Sequence, residues 1–139
     1  MKENWQQAFD LVIKFEGDLS NDSADPGGLT RWGISQRAYP TLNIRTLTIA
    51  EAMGIYKKDY WDACGCDDIE YPLDIIIFDS AVNCGVGTAQ KIQAKATSWQ
   101  DYLFMRIKYY ADIAGARANF QKFLRGWVNR TILLWEKFR

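Results

Sequence analysis

The chain has 139 residues, a length that suits one domain, and its 17 basic and 17 acidic residues leave no net charge. It contains no histidine. This absence excludes His-dependent catalytic triads and most metal-dependent hydrolases. No run of 18 apolar residues is present, so we expect no membrane insertion. The composition also gives no indication of nucleic-acid binding, and we expect neither a metal ion nor an organic cofactor.

The cysteines are three in number, Cys64, Cys66 and Cys84. Three thiols in a chain without histidine would leave a tetrahedral zinc site one ligand short, and the Cys-x-Cys spacing is too tight for a usual zinc pair. We therefore expect all three to be reduced and at least Cys84 to be buried.

The charges are unevenly distributed along the chain. Residues 1–90 carry 7 Lys/Arg against 14 Asp/Glu, whereas residues 91–139 carry 10 against 3. The basic part could face an anionic polymer such as a cell wall. Alternatively, the two parts attract each other and the basic residues lie on solvated helix faces.

The first predicted helix ends in a carboxylate. Trp5, Phe9, Val12 and Glu16 fall on one face at helical spacing, and Gly17 then breaks the pattern. Glu16 therefore ends the helix in line with its apolar stripe. Desolvation and the negative end of the helix dipole would both disfavour its charged form there, as a general acid requires.

Beyond this helix, residues 17–34 predict an irregular region with a small β-hairpin, because Asp25-Pro26-Gly27-Gly28 is strong turn chemistry. Helices are predicted for the remainder of the chain, which makes the fold mainly α. Their predicted ranges are Ser35–Tyr39, 49 to about Trp61 after the capping box Thr48–Glu51, Leu73–Cys84, Thr88–Ala96, 99 to about Ala114 after the cap Ser98, and about Asn119–Phe138.

Glu16, Asp25 and Thr30 are the candidate catalytic residues. Acid-assisted hydrolysis of a glycoside requires two carboxylates in unlike surroundings, one dry and one wet, and Glu16 and Asp25 satisfy this pattern. Thr30 could hydrogen-bond the attacking water. Asp25 could equally be a turn residue and Thr30 a strand-edge threonine, and Asp18 and Asp22 are rivals for the second carboxylate.

Six further residues are candidates for binding sugar, because hexoses lie on aromatic rings and bond to amides and backbone. They are Asn21, Gly28, Trp32, Tyr60, Trp61 and Asn83. Core packing is the alternative for each aromatic residue, and a capping role is the alternative for Asn83. Asp79 is expected to be structural, in a pair with Arg125 or Arg130.

Three motifs resemble the glycoside hydrolase family 108 muramidases, which include phage endolysins and secretion-activator-type lysozymes. The first runs from Phe15-Glu16-Gly17 through Asn21-Asp22 and Asp25-Pro26-Gly27-Gly28 to Thr30 and Gly33-Ile34. The second is Asp79-Ser80-Ala81-Val82-Asn83-Cys84-Gly85 and the third is Gly126-Trp127-Val128-Asn129-Arg130. The resemblance covers roughly residues 9–130.

The resemblance implies a lysozyme-like single domain over 1–139. Residues 1–90 would form the catalytic part, with Glu16 as acid and Asp25 and Thr30 positioning water. It also implies bacteriolytic hydrolysis of the β-1,4 bond between N-acetylmuramic acid and N-acetylglucosamine in peptidoglycan. Because no secretory signal is visible at the N-terminus, we expect the protein to be made in the cytoplasm and to act at the periplasm or cell wall after release. We also expect a monomer. In endolysins a pore-forming holin would provide the release.

The chain departs from the family pattern in two places. Glu16-Gly17-Asp18-Leu19 stands where the family usually has Glu-Gly-Gly-Tyr, which places an extra carboxylate near the acid. The peptidoglycan-binding segment that often follows the central helix is missing or much shortened, leaving 91–139 as C-terminal helices.

Three other functions fit parts of this pattern. A lytic transglycosylase needs the acid but no water-activating carboxylate, because the sugar's own C6 hydroxyl attacks. A non-catalytic wall-binding or secretion-accessory protein would not need Glu16. A plain helical interaction domain would leave the three motifs unexplained.

Overall fold

The computed structural model describes residues 2–17, 19–21 and 28–139, and the backbone alone at 20 and 21. The helices are α1 Trp5–Glu16, α2 Ile49–Tyr56, α3 Leu73–Cys84, α4 Val86–Gln93, α5 Trp99–Ala116 and α6 Gln121–Phe138. The strands are β1 Ser20–Asn21, β2 Leu29–Arg31 and β3 Ile34–Ser35. The predicted mainly α fold with a hairpin region is confirmed.

Helix α3 lies at the centre of the core. Its residues 74–81 are all buried, as predicted from a segment that is apolar almost all round. Helices α1, α4 and α5 pack on it. The apolar core of the described residues therefore draws on both the acidic and the basic part of the chain.

Two N-caps set helix starts as predicted. The Thr48 hydroxyl accepts a hydrogen bond from the backbone N–H of Glu51, and the Glu51 carboxylate accepts one from the backbone N–H of Thr48. Ser98 accepts from the Asp101 backbone N–H at the start of α5. Each contact satisfies a backbone donor that the first helical turn would otherwise leave unpaired.

Three helix predictions were wrong in detail. The smallest difference is in α4, which spans Val86–Gln93 and not Thr88–Ala96. Residues 36–38 form turns rather than a helix from Ser35 to Tyr39, because Ser35 instead pairs with Thr30 in the sheet. The helix predicted to reach Trp61 changes after Tyr56 into a π-helical segment, Lys57–Asp62. Such wide turns are frequent at functional sites.

The cysteines were predicted correctly only in part. All three are free of disulfides, but Cys64 and Cys66 are buried whereas Cys84 is only partly buried. Cys84 lies at the last turn of α3, where its thiol donates to the Ser80 carbonyl.

The strands form one antiparallel sheet in the order β1-β2-β3. Trp32 and Gly33 connect β2 to β3, and both have positive φ, 53° and 77°. Positive φ at both central residues is the signature of the type I′ hairpin turn, which suits the twist of the flanking strands. Gly33 of this turn lies against Glu16 at the end of α1.

Candidate active site

Glu16 lies where α1, the hairpin turn and α6 meet. Its side chain is 24% exposed, and Arg130 Nη1 donates to its Oε1 at 2.9 Å. The Arg130 guanidinium also lies over the Phe15 ring, 4.4 Å from its centroid. The sequence predicted dry, apolar surroundings for Glu16. This was wrong, because the side chain is partly exposed and α6 places the Arg130 guanidinium against its carboxyl group.

Arg130 is itself fixed by Asp79. Its Nη2 donates to Asp79 Oδ1 at 2.7 Å and its Nε at 3.0 Å. Arg106 Nη2 lies 2.7 Å from the other carboxylate oxygen. We call Asp79, Arg106 and Arg130 the buried ion cluster. The expected pairing of Asp79 with Arg130 is confirmed, whereas Arg125 is exposed.

The charge balance of the buried ion cluster depends on Asp79. Burial alone would raise the pKa of this carboxyl, but the guanidiniums of Arg106 and Arg130 lower it below its ordinary value of 3.8. Two cations around one anion leave positive charge, and Glu16 supplies the second anion. The buried basic residues of 91–139 thus pair with acidic residues of 1–90, in agreement with the attraction considered from the sequence.

The network continues from Arg106 to Asn83. Arg106 Nε donates to Tyr110 Oη at 2.7 Å, and Tyr110 Oη donates to Asn83 Oδ1. Asn83 was predicted to bind substrate, and the structure connects it to Glu16 through a continuous chain of polar contacts. Arg106 and Tyr110 were not predicted, although an arginine on the apolar face of α5 signals a buried, paired cation.

The hairpin turn lies against the Cβ and Cγ atoms of Glu16. A Cβ built on Gly33 would lie 2.8 Å from Glu16 Cβ and 2.2 Å from Tyr56 Oη. Tyr56 Oη donates to the Trp32 carbonyl at 2.7 Å, and Trp32 Nε1 donates to the Leu47 carbonyl at 3.1 Å. These bonds fix the turn against α1, so a residue without Cβ is required at position 33.

Replacing Gly33 by alanine should therefore destabilise the protein. The positive φ and the collision with Glu16 and Tyr56 together should cost at least about 2 kcal/mol. Urea unfolding measures this, with Gly126→Ala as the control, because a Cβ at Gly126, within α6, meets nothing within 4 Å. Equal midpoints for wild type and Gly33→Ala would contradict the close contact.

Tyr60 is close enough to Glu16 for its charge to act on the phenol, whereas Trp61 lies in the core. Tyr60 is half-buried; burial raises the pKa of its phenol, its hydrogen bond with Tyr39 opposes this, and the charges of Asp59 and Glu16 raise it further. Trp61 is 0% exposed, packs edge-on against Phe78 and donates Nε1 to Asp67. The prediction of Trp61 as a substrate-binding residue was wrong, because this ring fills the core and its polar atom is satisfied there.

The other predicted residues lie around the sheet. Thr30 is half-buried in the middle of β2, opposite Ser20 and Ser35. Gly28 precedes β2 with a φ of +68° and open space where a Cβ would stand. Asn21 pairs with Leu29, and its side chain is not described. Asp25, like its rivals Asp18 and Asp22, lies outside the described residues.

Neither a metal cluster nor a membrane-spanning helix is found among the described residues. No group of three or more acidic or cysteine side chains in these ranges could hold a metal ion. None of the helices in the same ranges is long and apolar enough to cross a membrane.

These features define a mainly α, lysozyme-like single domain with a carboxylate between a hairpin and the C-terminal helix. The solved structure of Brucella abortus SagA has this fold, with a TM-score of 0.84 and 22% identity over 99% of this chain and 94% of that chain. The family model described as glycosyl hydrolase 108 matches residues 9–85, and the chain belongs to this family. No curated protein matches the chain.

Family membership supports a peptidoglycan hydrolase function of the lysozyme type. The matched segment contains the end of α1, the hairpin and α3, and therefore Glu16, Gly33 and Asp79. Arg106 and Arg130 lie beyond residue 85, so the cations that neutralise these two carboxylates come from outside the matched segment.

Proposed function

We propose that this protein is an N-acetylmuramidase that cleaves the β-1,4 bond between N-acetylmuramic acid and N-acetylglucosamine in peptidoglycan. The observation that carries the proposal is the position of Glu16 between the hairpin turn and Arg130, within the family segment. Its carboxyl group is partly exposed and can reach a bound glycan.

In this mechanism Glu16 is the general acid. It protonates the glycosidic oxygen as the bond to the sugar breaks and the ring becomes oxocarbenium-like. Arg130 fixes Oε1, which leaves Oε2 to carry the proton toward the leaving group. Asp25 and Thr30 position the attacking water in this proposal, and Trp32, Tyr60, Asn21, Gly28 and Asn83 bind the glycan.

Lytic transglycosylation is the second candidate, because Glu16 alone suffices for it. In that reaction Glu16 gives its proton to the leaving oxygen, and the resulting carboxylate takes the proton of the C6 hydroxyl as this hydroxyl attacks the anomeric carbon of the same muramic acid. The product is 1,6-anhydromuramic acid, and Glu16 is protonated again. The placement of Glu16 in the described residues is compatible with both reactions.

The products separate the two reactions. We expect purified peptidoglycan treated with the wild-type protein to release fragments that end in reducing muramic acid, as mass spectrometry would show. Fragments ending in 1,6-anhydromuramic acid would replace the muramidase by a transglycosylase. No fragments at all, from a folded protein, would favour a non-catalytic wall-binding or accessory role.

The cellular role follows from the same proposal. A monomer made in the cytoplasm would act at the cell wall after release, with a holin as the route if the protein serves phage lysis. Cell fractionation with and without a co-expressed holin would test this, and activity at the wall without any holin would contradict that route.

A further inference from the structure

A second concave site lies beside the buried ion cluster. It is a cavity of about 590 Å³ between the end of α3, the second half of α5 and the start of α6. This volume is in the range of sites that bind small ligands. Its walls include Asn83, Tyr109, Ile113, Arg117, Phe120 and Trp127.

Helix geometry places this cavity next to the buried ion cluster. Asn83, Tyr110 and Trp127 line it, and each lies three or four residues along its helix from a member of the buried ion cluster. One helical turn is about 5.4 Å. The cavity is thus about one helical turn from the cluster, whose Arg130 contacts Glu16.

The wall of the cavity is rigid. The rings of Tyr110 and Trp127 stack with centroids 5.1 Å apart, and Phe123 stacks on Trp127 at 5.7 Å. Tyr110 is also held by its bonds to Arg106 and Asn83. A wall fixed in this way is pre-organised, which lowers the entropy cost of ligand binding.

Two polar groups of the cavity are available to a ligand. Asn83 Oδ1 accepts from Tyr110, which leaves the two amide N–H donors of Asn83 without a partner among the described residues. Arg117 is exposed between α5 and α6, and its guanidinium lies 5.6 Å from the Phe120 ring centroid. No described carboxylate pairs with Arg117. Asp112 also lines the cavity, and its carboxylate pairs with Lys108 at 2.8 Å.

We propose that this cavity binds an N-acylated sugar that carries a carboxylate, with Arg117 pairing with the carboxylate and Asn83 donating to the acyl oxygen. The proposal rests on the proposed function, and it makes Arg117 a determinant of specificity for peptidoglycan over unsubstituted glycans such as chitin. In peptidoglycan the carboxylate belongs either to the stem peptide or, where the peptide has been removed, to the lactyl group of muramic acid.

Binding of three ligands to the Glu16→Gln protein tests the proposal, since that variant should not consume them. The ligands are a disaccharide-peptide, the same disaccharide after amidase has removed the peptide, and a chitin tetrasaccharide. Adding Arg117→Gln should weaken binding of at least one acidic ligand by about tenfold or more, the effect of one lost charge-assisted hydrogen bond. The chitin tetrasaccharide should change by less than about twofold, because it has no carboxylate to lose.

Arg125→Gln is the matched control, because Arg125 is an exposed arginine on α6 outside the cavity wall. It should leave all three affinities unchanged. Loss restricted to the disaccharide-peptide would identify the peptide carboxylate, and loss restricted to the amidase product would identify the lactyl group. Equal loss for chitin, or no loss with any ligand, would overturn the proposal.

Turnover of peptidoglycan by the wild-type protein separates this proposal from the proposed function. If the wild type releases no fragments, the proposed function fails whatever Arg117 does. If it releases fragments at the same KM with and without Arg117→Gln, only the cavity proposal fails. If the proposal holds, KM should rise with little change in kcat, because Arg117 would contribute to binding and not to the chemical step.

Discussion

Replacing Glu16 by glutamine should reduce hydrolysis of peptidoglycan by at least about 10²–10⁴-fold, the usual contribution of proton transfer from a positioned acid. Glutamine keeps the length of the side chain and offers an amide oxygen that can still accept from Arg130. It has no acidic proton to give to the leaving oxygen. The loss should therefore appear in kcat while the fold remains.

The control for this experiment is Glu136→Gln, since Glu136 is an exposed glutamate on α6 that pairs only with Arg139 among the described residues. Both variants should give the near-ultraviolet circular dichroism of the wild type, and only Glu16→Gln should lose the release of reducing ends. If Glu16→Gln retained activity within about tenfold, Glu16 would not be the acid.

The second large effect is expected for Asp79→Asn, on stability. Asp79 is fully buried between Arg106 and Arg130. An uncharged side chain there leaves two buried guanidiniums with one carboxylate, that of Glu16, which pairs with Arg130. Removing one partner of a buried ion pair typically costs about 3–5 kcal/mol. Asp112→Asn is the control, because its pair with Lys108 is exposed and such pairs contribute about 0.2–1 kcal/mol.

The loss of stability should depend on pH with a definite sign. The pKa of Asp79 is lowered in the folded protein, so its contribution is complete above its unfolded value and is lost as pH falls through the folded value. Urea unfolding of wild type and Asp79→Asn should therefore differ most near neutral pH and converge in acid below the ordinary value of 3.8. A difference that did not change with pH would show that Asp79 acts through packing and not through charge.

The same variant tests how far the cluster positions the acid. Without Asp79, Arg130 would lose the contacts that orient it toward Glu16. We expect the folded fraction of Asp79→Asn to have a lower kcat than the wild type. The conservative variant Asp79→Glu keeps the carboxylate, and its kcat should lie closer to that of the wild type.

Local sequence patterns predicted much of this architecture correctly. The 3.6-residue spacing of apolar side chains gave α1 with Glu16 at its end, and the all-round apolar segment gave α3 with the same bounds that the structure has. Thr48 and Ser98 predicted two helix starts, and the glycines predicted the hairpin region. These features depend on contacts within a few residues of chain, and for this reason they can be predicted from sequence.

The tertiary structure alone decided which side chains meet. Glu16 and Arg130 are 114 positions apart and Asp79 and Arg130 are 51 apart, and no local pattern encodes such partners. For the same reason the sequence predicts Trp61 as a sugar-binding residue and does not predict Arg106 as a partner of Asp79. Periodicity indicates which face of a helix is apolar, but packing of the whole chain decides which helix covers that face. In this protein the packing places the Arg130 guanidinium beside Glu16, where the sequence indicated an apolar site.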